Sequence, residues 1–168
     1  CWQTDGTGQT YTGTILEHLL IQQLAAFYEV GEHNICRLRG ADWNDALDMA
    51  PERGESVAFT CAYAGNLREL AGLIRLLEAR TGVRTAEMLE ELSVLLEGEP
   101  GCFDDPAAKN RILEKYAGMC RHQVSGRRVQ FSLNKLAASL EEKADWLTGW
   151  LRAHEWIGAG DGEGWYNS

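Results

Sequence analysis

The chain of 168 residues is 45% hydrophobic and 24% charged, ordinary globular proportions, and is long enough for one cored domain or a piece of a larger one. A formal net charge of -9 argues against a nucleic-acid partner, because a phosphate backbone is held by a concentrated basic surface. Cysteines at 1, 36, 61, 102 and 120 form no Cys-x-x-Cys pair, so neither a zinc site nor a disulfide framework is indicated. Reduced thiols in the cytoplasm are the simplest account, and no apolar run is long enough to span a membrane.

The first ten residues are polar and Gly-rich and read as a loop. Thr14 and Glu17 then fit a capping box, and Leu16, Leu19, Leu20, Leu24, Phe27 and Tyr28 recur at helical spacing up to Gly31. His18, near the start of that helix, reads as a surface or packing residue. Residues 31–55 form a long irregular connection, a kind of segment that is uncommon in compact domains and often functional. Pro51 and Gly54 break any helix before Ser56. From Ser56 to Arg80 a long helix is expected, with Val57, Phe59, Leu67, Leu70, Leu73, Ile74 and Leu77 on a broad apolar face and Gly82 as its stop. Small residues on the same helix, including Ala64, Gly65, Ala71 and Gly72, would let a second helix approach closely.

Thr85 is expected to cap a shorter helix through Leu96, and Asp105-Pro106 to start another that runs to about Met119. Residues 124–131 alternate briefly and fit a small hairpin. Arg121, His122, Arg127 and Arg128 form a basic cluster there, either an anion site or a solvated turn. Ser132 caps a final long helix to about Trp156, in which Trp146 and Trp150 stand four apart on one face and read as packing residues. The glycine-rich stretch 158–164 reads as a flexible loop. The sum is an all-α chain of about five helices. Aromatic residues close to both ends, Trp2 and Trp165, fit a piece cut from a longer protein.

The most informative stretch lies in the long connection. Asp42-Trp43-Asn44-Asp45-Ala46-Leu47-Asp48 packs three carboxylates, an amide and an indole into seven residues. An exposed ring can stack on the apolar face of a sugar while carboxylates and amides bond its hydroxyls. The same composition also describes an acidic turn leading into a helix. A calcium loop starting at Asp42 fails, because it would place Ala46 at a ligand position, Leu47 where glycine belongs and Arg53 where a bidentate Glu belongs. A glycoside-type general acid remains, since a carboxylic acid partly desolvated beside an indole can keep its proton near neutral pH and hand it to a departing oxygen.

Three motifs occur together in order: Gly13-Thr14-Ile15-Leu16-Glu17-His18-Leu19, Ala41-Asp42-Trp43-Asn44-Asp45 and Gly54-Glu55-Ser56-Val57. In order and spacing they resemble glycoside hydrolase family 94, which contains inverting cellobiose, chitobiose and cellodextrin phosphorylases and β-1,2-glucan-processing relatives. The closing Gly162-Glu163-Gly164-Trp165-Tyr166-Asn167-Ser168 looks like the start of another segment of that family.

The resemblance implies that residues 1–168 are one fragment of an (α/α)6 barrel catalytic domain. It also implies that 84–157 are a helical insertion, like that of the longer β-1,2-oligoglucan phosphorylase branch. By the same resemblance Asp45 matches the general acid and Trp43 the aromatic lining the sugar site. Asp42 and Asn44 would shape the loop or bond hydroxyls, and Glu55 would brace the loop or contact sugar. The implied reaction is phosphorolysis: inorganic phosphate, serving as co-substrate with no further cofactor or metal, attacks a β-linked glucosyl unit and yields an α-sugar 1-phosphate. The partners implied are a β-linked oligosaccharide, phosphate, the remainder of the parent chain and, in some members, a second copy in a homodimer. The fragment alone is expected to be inactive, because the family's histidine- and threonine-bearing phosphate site has no counterpart in this stretch. An inverting hydrolase and a non-catalytic helical carbohydrate-binding module are the alternatives.

Overall fold

A computed structural model describes residues 3–39, 53–98 and 101–167. Its elements run α1 (Ile15–Tyr28), α2 (Val57–Thr81), β1 (Thr85–Leu89), α3 (Ser93–Glu97), α4 (Pro106–Met119), β2 (Arg128–Ser132), α5 (Leu133–His154), β3 (Trp156–Gly160) and β4 (Glu163–Tyr166). The expected all-α part of a barrel is therefore corrected to a mixed α/β chain, in which helices are joined by two small antiparallel two-stranded sheets, β1–β2 and β3–β4.

Capping sets the helix starts. Thr14, Ser56, Asp105 and Ser132 each accept a backbone N–H of the first turn, from Glu17, Phe59, Ala107 and Lys135 respectively. Pro106 adds a preset φ at the first position of α4. At the other end of α2, Gly82 takes a left-handed φ of 72°, and its N–H bonds Glu78.

The main core lies where α1, α2 and α5 meet α3 and α4. It holds Leu20, Leu24 and Phe27 with Leu67, Leu70 and Ile74, closed by Leu95, Ile112, Leu136, Leu140 and Leu147. The most extensive helix–helix packing among the described residues is between α2 and α5. Ala64 and Ala71 of α2 and Ala137 and Ala144 of α5 are buried there, so small side chains do allow close approach. Arg68 bonds Asp145 at 2.5 Å and Arg75 bonds Glu141 at 2.6 Å on the rim, and this descending order makes the two helices antiparallel. Among the described residues one side of α2 is covered: Phe59, Leu73 and Leu77, read as part of the broad apolar face, are exposed, and so is Leu76.

The segment beginning at Thr85 is a strand, not the start of a helix. Thr85 to Leu89 pairs residue by residue with Ser132 to Arg128, and Met88 and Leu89 are buried. Pairing with a distant partner has overridden a local cap signal. The expected hairpin within 124–131 is corrected with it, because its second half pairs with β1 instead. The glycine-rich 158–164 stretch is likewise part of a hairpin. Trp156 opposes Tyr166 and Ile157 opposes Trp165, and the turn at Asp161-Gly162 has φ of 52° and 81°. Two successive positive φ values suit the twist of a tight hairpin. No described helix is long and apolar enough to cross a membrane.

Candidate functional site

Asp42, Trp43, Asn44 and Asp45 lie outside the described residues; the chain on both sides of them is described. The two flanks are joined rather than irregular. Leu38 N–H donates to the Gly54 carbonyl at 2.9 Å, Ser56 N–H donates to the Cys36 carbonyl at 2.9 Å, and Arg37 opposes Glu55 in an antiparallel bridge. Cys36 N–H also donates to Thr60 Oγ1 at 3.0 Å, tying this short ladder to the first turn of α2. The described chain on either side of 40–52 is therefore held together at Leu38 and Gly54.

Upstream of the ladder, residues 31–35 make a tight turn. Gly31 N–H donates to the Ile35 carbonyl at 3.0 Å and Asn34 N–H to the Gly31 carbonyl at 3.2 Å. Asn34 takes a φ of 65°, a left-handed conformation that Asn tolerates better than most residues. The fully buried Asn34 amide is pinned from both sides, accepting from Lys109 Nζ at 2.9 Å and donating to the Phe103 carbonyl at 2.8 Å. From α5, Trp150 Nε1 donates to the His33 carbonyl at 3.1 Å.

Glu55 points its carboxylate onto this turn. Oε1 accepts from the backbone N–H of His33 at 3.1 Å and of Ile35 at 3.3 Å, while Oε2 lies 2.6 Å from His33 Nδ1. The Glu55 side chain is 12% exposed. A Cβ built on Gly31 would come within 2.5 Å of the Glu55 carboxylate, so glycine is required for this approach. Gly31→Ala is expected to push the carboxylate off the turn at a cost of about 1–3 kcal/mol, measurable as a lowered midpoint in urea unfolding.

The Glu55 hydrogen bond and charge raise the His33 pKa above its ordinary 6.5, aided by Glu32 and Glu155 and opposed by partial desolvation. The raised value fixes the sign. The pair's contribution to stability is fully present below the ordinary value and is lost as pH rises through the raised one. Arg37, Arg53, Glu32, His33, Glu55 and Gly31 enclose a cavity of about 50 Å³, room for little more than water. Arg53 pairs with Glu32 at 2.9 Å, and Arg37 Nε is buried with no hydrogen-bond partner among the described residues.

Two larger clefts lie away from the flanks. One, of about 420 Å³, sits at the start of α1 between Tyr11, Glu17, His18 and Tyr116. Glu17 is buried there and does not complete the expected capping box. Its Oε2 instead accepts from Tyr11 OH and Leu89 N–H, both at 3.1 Å. The other, of about 410 Å³, runs between β2 and the start of α5. In the basic cluster, Arg127 pairs with Glu90 and Arg128 donates to the Thr12 carbonyl, so these two side chains are engaged locally rather than converging on an anion. Among the described residues no group of three His, Cys, Asp or Glu could hold a metal ion.

Local sequence marks Glu55 through its motif, but nothing around His33 marks it as Glu55's partner, because the two are 22 positions apart. The sequence profile of the Glycosyl hydrolase 94 superfamily, catalytic domain, matches residues 6–94, more than half of the chain. The chain belongs to that family of enzymes acting on glycosidic bonds. The matched span holds α1, both flanks, the acidic stretch, α2 and β1. No curated protein matches the chain.

Proposed function

We propose that this chain is part of an inverting glycoside phosphorylase in which Asp45 is the general acid. The observation that carries the reading is the Asp42-Trp43-Asn44-Asp45 stretch inside the span matched by the family, with its two flanks hydrogen-bonded together. A phosphate oxygen attacks the anomeric carbon of a β-linked glucosyl unit from the face opposite the leaving group. The glycosidic C–O bond breaks, its electron pair goes to the departing sugar oxygen, and that oxygen takes the Asp45 proton. The products are an α-sugar 1-phosphate and an oligosaccharide one unit shorter. Phosphate is already a nucleophile, so one carboxylic acid suffices where an inverting hydrolase needs a second carboxylate to activate water. Trp43 stacks on the sugar, and Asp42 and Asn44 hold its hydroxyls.

The test is product analysis of the full-length protein that carries this chain, given β-linked glucose oligosaccharides of several linkages with and without inorganic phosphate. The expected result is sugar 1-phosphate, formed only when phosphate is present. Free glucose at the same rate in both conditions would overturn phosphorolysis in favour of hydrolysis.

A further inference from the structure

We propose that His33 and Glu55 are a positioning pair for the general acid, a protonation-sensitive clasp on the two joined flanks between which Asp45 lies in the sequence. The proposal rests on the reading of Asp45 as the acid. Three features carry it.

First, both Glu55 oxygens are occupied by donors from the 31–35 turn, two backbone N–H groups and the His33 ring, so this carboxylate is spent on the fold. Second, the turn it grips is itself anchored from three directions, by Lys109 and the Phe103 carbonyl on Asn34 and by Trp150 on the His33 carbonyl. A rigid body thus stands behind the clasp. Third, Glu55 is bridged to Arg37, so gripping Glu55 holds together the two described flanks, 36–38 and 54–56, on either side of the acidic stretch.

The His33 ring is exposed, 73% of its side chain, and is free to exchange protons with solvent. It faces Glu55 from the flank, Glu32 from its own turn and Glu155 from the end of α5. Arg37 and Arg53 line the same small cavity, with Arg53 paired to Glu32. With the ring protonated, the bond to Glu55 joins two charges. With the ring neutral, the same contact loses about half its strength. General acid catalysis also fails on the alkaline side, when the acid gives up its proton. Both losses therefore fall on the same limb of the pH profile, one through Asp45 itself and one through its placement.

The experiment uses the full-length protein and measures kcat and KM for phosphorolysis between about pH 5 and 9, the range over which histidine titrates. His33→Ala and Glu55→Gln are expected to lower kcat by about 10- to 100-fold with KM within twofold, as misplacement of a reacting group does. His33→Asn, whose amide can donate from near the Nδ1 position, should recover most of kcat at the acidic end and lose one ionisation from the alkaline limb. If His33→Ala fails to fold by circular dichroism, His33→Asn decides alone. A kcat within twofold of wild type for both His33→Ala and Glu55→Gln, or a His33→Asn alkaline limb identical to wild type, would overturn the clasp. Asp45→Asn, run beside them, keeps the two ideas apart. If it is inactive while the His33 and Glu55 variants behave as wild type, only the clasp fails. If it is active, the assignment of the acid fails.

Discussion

Asp45→Asn is expected to lower kcat for phosphorolysis by about 10²- to 10⁴-fold, the usual worth of a positioned general acid, while leaving KM and thermal unfolding nearly unchanged. The amide has the carboxyl's shape and keeps polar contact with a sugar, but it has no proton to give. The defect should therefore depend on the leaving group. An oligosaccharide departs as a poor alkoxide and needs the proton. A β-glucosyl fluoride releases fluoride without one, so phosphate should convert it to the α-sugar 1-phosphate at close to the wild-type rate. Near-normal turnover of the oligosaccharide by Asp45→Asn would remove Asp45 from the acid's role. Equal loss on both substrates would assign it to binding or structure instead.

The largest stability effect is expected at Lys109. Its side chain is fully buried, with Nζ 2.9 Å from Asn34 Oδ1, 3.7 Å from the centre of the Trp146 ring and 4.3 Å from that of Phe27. Burial pushes its pKa from 10.5 down to about 7, against the pull of Cys102 and Asp104, with Lys143 nearby adding to the fall. Lys143 is itself pushed down to about 8 by burial. Lys109→Ala leaves Asn34 without its donor and opens a void beneath Trp146, and should cost about 3 kcal/mol in urea unfolding. Lys109→Met fills the space and should cost less.

The pH dependence separates the charge from the packing. A lysine with a lowered folded pKa is protonated in the unfolded chain and neutral in the folded one between about pH 7 and 10.5. Stability from this group therefore rises with pH across that window. His33 acts in the opposite sense over its own range. The difference between wild type and Lys109→Met isolates the lysine, and should grow from pH 7 to 9 by on the order of 2 kcal/mol. A constant difference would place the lysine's weight in packing alone.

Helix starts were legible because capping is local chemistry. Thr14, Ser56, Asp105 and Ser132 each need only the next two or three residues to act. Strand β1 was not legible, since Thr85 looks like a cap and its true partner, Ser132, stands far along the chain. The hairpin β3–β4 did carry a readable signal, the Asp161-Gly162 dipeptide between aromatic runs, but the surrounding glycines masked it. For the site, composition and motif order drew attention to Asp42 through Asp45, and the family match covers them. The grip of Glu55 on His33 and Ile35 depends on the turn at Asn34, which in turn depends on Lys109 from α4. No window of sequence contains that chain of dependence.

The antiparallel seam between α2 and α5 has a consequence for the protein's synthesis. Arg75 and Glu141 lie 66 positions apart, and Arg68 and Asp145 lie 77 apart. At a ribosome's pace of about 5–20 residues per second, α2 is complete for several seconds before α5 exists to cover Leu67, Leu70 and Ile74. Through that interval the newborn helix is bare on the side that α5 will cover as well as on its outer one. It is then that a chaperone would find the most to hold.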